Sequence, residues 1–418
     1  MKEILEQSNL RLTNGWRMAL WAMVALGVAM FIAGLVSGAA QRTWQAFLIN
    51  TTYWGGMAQA GVMLSVIWQI TDARWGRPFK RLSEGYASFL PVSLVMFILL
   101  YFGAGHLYEW VHHPMHVKEA YLNMPFFVIR NTLGLAVLIW LTMVYVRNSL
   151  APDMAAARKL VAGFGGTFGD RLLNGYGDHK VEVDRLELKA RKLAPALGVL
   201  YAVVMSLVAF DFVMSLDQLW FSTLFGVFFF IGNLYTALAL MLIIVTFTRN
   251  RPVISEFMSI NRFNDLAKLT FAIAMLYTYM AFSQFLVIWY SNLPEEAPFL
   301  VERAIADTPW RPLFWILVVL LFVLPFLTLA TRTICRIPKL AAGIAFVLMI
   351  GQWWAHYLLI VPSVQGSHGE PHFVFGLHEI LLTAGFGAGF FLCFFWFMGK
   401  VPLLPISDKR LSKTWHGH

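Results

Sequence analysis

The sequence predicts an all-α integral membrane protein of ten transmembrane helices. Three observations carry that expectation. The chain has 418 residues, 59% of them hydrophobic and only 13% charged, whereas a globular chain carries about a quarter charged residues. Its apolar residues fall in ten blocks, each near the roughly 20 residues needed to cross about 30 Å of hydrocarbon. Its basic residues flank those blocks very unevenly, which sets an orientation.

The blocks are 18–39, 44–70, 89–108, 126–145, 194–214, 220–247, 266–290, 312–331, 340–360 and 377–398. The first is longer than a signal-peptide core of about 7–15 residues and reads as an uncleaved helix. Barrel strands would be about half as long and would alternate apolar with polar residues, which these blocks do not. The mean hydropathy of +0.64 excludes a chain that faces water on one side of every element.

With the N-terminus placed in the cytoplasm, nearly all of the 32 Lys and Arg residues fall on the inner side. The outer segments hold only Arg42, Lys118, Arg303 and Arg311, and Arg130 sits inside the fourth span. A bias of about seven to one puts both termini in the cytoplasm and requires an even number of spans. It also accounts for the net charge of +9 as topology, and nucleic-acid binding is not expected. Trp16, Trp44, Trp110, Trp220, Trp289, Trp310 and Trp396 read as interface anchors.

Outside the spans the largest piece is a cytoplasmic loop, 147–192, with a glycine-rich centre at Gly163-Phe-Gly165-Gly166 and a charged helix over 181–192. The glycines are not followed by the Lys-Ser/Thr pair of a phosphate loop. The helix is expected at the lipid headgroups or against a partner subunit. No loop is large enough for a catalytic domain.

Ionisable groups within spans are costly, so each is a functional candidate. Asp211, with apolar neighbours on both sides, must pair, protonate or face a polar cavity. His106 and Glu109 close the third span at a spacing of three, predicting one helix face. Gln352 and His356 share a face of the ninth span, and His378 and Glu379 open the tenth. Arg130 and Asn131 lie near the outer end of the fourth. Deeper are Asn233 and Tyr235 in the sixth span, and Tyr277 and Gln284 in the seventh, seven apart and so on one face. His112, His113, His116, His368, Glu370 and His372 add outer-loop groups, which are either proton-passing or simply interfacial.

Cofactor chemistry is limited by the ligands. Cys335 and Cys393 are the two cysteines. An iron–sulfur cluster normally needs four thiolates, and the C-x-x-C-H of a c-type haem is absent. A b-type haem could draw on His106, His356 and His378 near the outer surface, with no second pair near the inner one. A stand-alone secondary transporter or permease is the competing class, though no pair of interrupted spans occupies matching positions in two halves.

Two strings are long and specific: Ser206-Leu-Val-Ala-Phe-Asp211-Phe-Val-Met-Ser-Leu-Asp217, continuing through Trp220-Phe-Ser-Thr-Leu-Phe-Gly226, and Ala281-Phe-Ser-Gln284-Phe-Leu-Val-Ile-Trp289-Tyr-Ser-Asn292-Leu-Pro294-Glu-Glu296. Along the whole chain they resemble the F subunit, the second large membrane subunit, of bacterial alternative complex III. Asn50-x-x-Tyr53-Trp-Gly-Gly56 agrees loosely. The resemblance implies kinship with polysulfide-reductase-type membrane subunits, with helices 2–5 and 6–9 forming two four-helix bundles flanked by helices 1 and 10. It implies a place in the cell inner membrane, in a quinol:cytochrome c oxidoreductase of a respiratory or photosynthetic electron-transport chain. Menaquinol or another quinol would be the electron donor. The implied partners are a sister quinol-binding membrane subunit, an iron–sulfur subunit, c-type cytochromes and a terminal oxidase. Iron–sulfur clusters and haem c would sit on those partners, and this chain would add a scaffold, a quinone contact and a proton-conducting path. On that reading Asp211, His356, Gln284 and Tyr235 would line the path, with Tyr277, His106, Glu109, His378 and Glu379 as further candidates.

Overall fold

The computed structural model describes residues 5, 10–365, 372–408 and 411, with backbone alone at 252–253. Every regular element among them is helical. Among the described residues, nine helices are long and apolar enough to cross a membrane. They are α1 (Asn14–Val36), α3 (Arg77–Leu107), α4 (Met124–Leu160), α5 (His179–Leu216), α6 (Phe225–Thr248), α7 (Ile260–Ser291), α8 (Trp310–Leu329), α9 (Pro338–Gln365) and α10 (Leu377–Met398).

Between α1 and α3 runs α2, a continuous helix over 40–70 made of Ala40–Asn50, a π-helical turn at Thr51–Gly55 and Gly56–Ile70. It is less apolar than the nine because it carries Asn50, Thr51, Thr52, Gln59 and Ser65, all buried. Every residue from 43 to 66 is buried. A helix enclosed by protein can bond polar side chains to its neighbours, where a lipid-facing one cannot.

The enclosed helices set the centre of the molecule. α6 is 83% buried over its most apolar stretch and α9 is 72% buried, against 11% for α1. α2 packs on α5, α6 and α9; α6 also packs on α7; α4 packs on α5; and α8 packs on α7 and α9. α1 packs chiefly on α10, which in turn rests on α2 and α3. The α1–α10 crossing is close because it is glycine on glycine. A Cβ on Gly27 would lie 2.9 Å from the Gly385 Cα, so only small residues let these backbones meet.

Breaks in the helices follow from sequence. α3 tightens into a 3-10 turn at Tyr86–Phe89 just ahead of Pro91. α8 opens a π-turn at Val319–Val323 just ahead of Pro325. In both, proline has no N–H to continue the ladder. The π-turn of α5, Ala209–Val213, contains no proline and holds Asp211 at its centre.

Several helices run past the expected blocks. α4 continues to Leu160 and α5 begins at His179, so much of 147–192 is helical extension. At about 1.5 Å per residue, the 37 residues of α4 extend about 55 Å, well beyond the hydrocarbon. The charged helix expected at 181–192 is no separate element but the first turns of α5. α3 begins twelve residues before its expected start, at Arg77, and draws a supposed cytoplasmic loop into the core.

Candidate functional site

Asp211 is fully buried and paired. Arg130 Nε donates to Oδ2 and Nη2 to Oδ1, both at 2.8 Å, and Asn131 Nδ2 adds a bond to Oδ2 at 2.7 Å. The Arg130 guanidinium stacks 3.9 Å from the Tyr121 ring centroid and 4.3 Å from that of Phe126. Burial of the ring, then the Asp211 charge, push the Tyr121 phenol up to about 12, so it stays neutral. Of the three fates open to Asp211, pairing is the one adopted. The partners of its carboxylate, Arg130 and Asn131, lie on α4, and His356, Gln284 and Tyr235 are not among them.

Those three are not all together either. Gln284 is half-buried, and its side-chain amide reaches only its own helix, at the Met280 carbonyl. His356, Tyr235 and Tyr277 do converge, where α2, α6, α7 and α9 meet. A Cβ on Gly232 would touch both Tyr277 Cε2, at 3.0 Å, and Gln352 Oε1, at 3.4 Å. Tyr277 lies 5.9 Å from Tyr235, ring to ring. Its hydroxyl faces the Gln352 amide without meeting hydrogen-bond geometry. His356 Nδ1 is 2.9 Å from the Gln352 carbonyl, and its ring stands edge-on to Tyr53 at 5.6 Å. Asn233 fills the space over Gly56, where a Cβ would come within 2.5 Å of it.

The hydrogen-bonding state of this cluster is unusual. Asn233 Nδ2 and Oδ1, Tyr235 Oη, Gln352 Nε2 and Oε1, and His356 Nε2 are buried without a partner among the described groups. Buried polar atoms are normally satisfied, and each exception calls for a reason.

Further polar side chains follow along α2 and α4, in separate bonded sets. Gln59, one turn beyond Gly56, donates to Thr142 at 2.9 Å. The Tyr145 hydroxyl meets Ser65 Oγ at 3.0 Å, and Ser65 Oγ donates to Glu84 at 3.2 Å. Glu84 belongs to a buried ionic group. Arg81 pairs with both Glu84 and Asp153, and also donates to the Ser149 carbonyl at 2.8 Å. Arg77 reaches Gln69 at 2.8 Å and Asp408 at 3.1 Å. Lys80 Nζ stands 4.0 Å from Glu84.

This ionic group was missed in the sequence. Arg77, Lys80 and Arg81 fall between the apolar blocks 44–70 and 89–108 of the sequence, yet all three are buried. The available signal was Lys80-Arg81-x-x-Glu84, with acid and bases at helical spacing. Two arginines of the outer segments are also held by bonds. Arg303 is buried and donates to the Leu358 carbonyl at 3.0 Å and Ser363 Oγ at 2.7 Å. Arg42 grips Glu379 with bonds of 2.6 and 2.7 Å, and Glu379 also accepts from the Gly376 N–H at 2.8 Å.

The remaining candidates are peripheral. His106 is exposed and Glu109 half-buried. They do not share a helix face, because α3 ends at Leu107 and Tyr108 is extended before the next turn. His378 is half-buried against Gly34, whose Cβ would come within 2.5 Å of the imidazole. His112, His113, His116 and His372 are exposed, while His368 and Glu370 lie outside the described residues. Among the described residues no group of three or more His, Cys, Asp or Glu side chains could hold a metal ion. Cys335 is buried and Cys393 half-buried, and both are free thiols.

No known family matches the chain, and no curated protein is similar to it.

Proposed function

We propose that this chain is a membrane subunit, without redox centres of its own, of a quinol-oxidising complex of the alternative complex III type. It sits in the bacterial cytoplasmic membrane, spans it ten times with α2 as the tenth span, and keeps both termini inside. α2–α5 and α6–α9 act as two four-helix bundles, with α1 and α10 outside them. Partner subunits carry the iron–sulfur clusters and c-type haems, and a sister membrane subunit takes the quinol.

The observation that supports a working rather than a purely structural role is the series of polar side chains from Glu84 to His356, with its unsatisfied atoms at the Asn233–Gln352 end. Serine, tyrosine, glutamine and histidine both donate and accept. With waters bridging the gaps they can hand protons along a line. Leucine-type side chains would pack there at lower cost, since each unsatisfied polar group costs about 1–3 kcal/mol. The part given to this chain is therefore a proton path, with a quinone contact as its other assignment.

Purification in mild detergent tests the reading. A tagged chain should co-migrate with haem c and iron–sulfur subunits and show their reduced-minus-oxidised absorbance. A self-sufficient, colourless protein that moves solute in vesicles would replace this reading with a permease.

A further inference from the structure

A groove of about 830 Å³ opens between α1, α3 and α10. It exists because α1 touches the rest of the molecule closely at Gly27–Gly385 and stands apart from α3. Its walls are almost wholly apolar, with Trp21, Val92, Met96 and Phe386 among them. At one end it gathers three cations, Arg11, Arg17 and Lys400, and among the described residues no acidic one lines it.

Two of the three cations make contacts with α10 and its end. Arg17 lies in the first turn of α1. Arg11 Nε reaches the Gly399 carbonyl at 3.4 Å, which ties the chain before α1 to the end of α10. Lys400 Nζ sits 3.8 Å from the Trp396 ring centroid. Tryptophans near such an end belong at headgroup depth.

We propose that this groove is a binding site for one anionic phospholipid. The acyl chains lie along α1, α3 and α10, and the phosphate is held by Arg11, Arg17 and Lys400. Charge complementarity selects this occupant. Basic pockets between membrane helices on the cytoplasmic side take acidic headgroups, and arginine's fork matches phosphate oxygens. An isoprenoid quinone would use the apolar walls but leave three cations without an anion.

The test is native mass spectrometry of the full chain, with whatever subunits accompany it, after exchange into phosphatidylglycerol or into phosphatidylcholine of the same acyl chains. One phosphatidylglycerol should be retained in preference to phosphatidylcholine. The combined R11Q, R17Q and K400Q variant should weaken phosphatidylglycerol binding by roughly 100-fold, at about five-fold per charge, and leave phosphatidylcholine unchanged. Gly389→Phe provides a second arm, because a Cβ there meets only the Phe89 ring edge at 3.8 Å. It blocks the groove with the charges intact and should reduce binding of both lipids, deciding the matter if the triple variant does not fold. Equal retention of the two lipids, unchanged binding in the variants, or recovery of a quinone in the lipid's place would overturn the proposal.

Discussion

Arg130 and Asp211 form a bidentate ion pair, both bonds at 2.8 Å, in which the carboxylate is fully buried and Asn131 supplies a third donor. The three donors come from two adjacent residues of α4 and meet one carboxylate of α5. Asp211 is better understood as the clasp between α4 and the π-turn of α5.

Removing one member of such a pair should therefore cost stability before it costs function. Asp211→Asn leaves the largely covered Arg130 guanidinium, its side chain 9% exposed, without its counter-charge, and breaking a buried pair costs about 3–5 kcal/mol. The yield of folded protein and its melting midpoint should both fall. A double R130M and D211L variant should recover much of the loss, since apolar replacement of a buried pair is often neutral. Melting followed by tryptophan fluorescence across the four variants of that cycle measures the coupling.

The ionic group around Arg81 should respond asymmetrically. Glu84→Gln keeps a polar partner for Arg81 and Ser65, and leaves Asp153 to neutralise the arginine. Arg81→Leu strands Glu84 and Asp153, both at most 2% exposed, without the cation they share. The second change should destabilise by about 3–5 kcal/mol and the first by about 1–3 kcal/mol. Urea or heat titration of the two variants side by side would show the order.

Close packing at α2 gives a third expectation. A Cβ on Gly61 would fall 2.0 Å from Tyr86 Cδ1, inside the ring that donates to the Ala237 carbonyl at 3.0 Å. Gly61→Ala should cost about 1–3 kcal/mol through overpacking. Gly343, in α9, has nothing within 4 Å of its Cβ position. Gly343→Ala should instead stabilise by about 0.5–1 kcal/mol through helix propensity. Opposite shifts in melting midpoint check both.

Much of the fold was legible because burial in lipid leaves a plain mark, long apolar blocks punctuated by charge. α2 was legible as a block although its polar residues set it apart, since its flanks are still apolar. What could not be read was pairing. Arg130, Asn131 and Asp211 were each singled out, but nothing in one chain says which helices adjoin. Arg77, Lys80 and Arg81 were hidden for a different reason. A loop charge and a buried charge are the same letter, and only the carboxylates of α3 and α4 separate them. Tyr235, Tyr277 and His356 were each singled out as polar groups within spans, but their convergence was not legible, and Gln352 and Asn233 proved more central than Gln284.

The proposed proton path stands or falls on one measurement. Gln352→Leu and His356→Leu, singly and together, remove the polar end of the path while leaving the Arg130–Asp211 clasp and the Arg81 group untouched. The purified assembly, sealed in vesicles with a pH-sensitive dye inside, would be supplied with quinol and its proton movement followed per electron. The expected result is electron transfer at near the parent rate with a clear loss of protons moved per electron. Unchanged proton movement in the double variant, with the assembly intact, would contradict a path through this cluster.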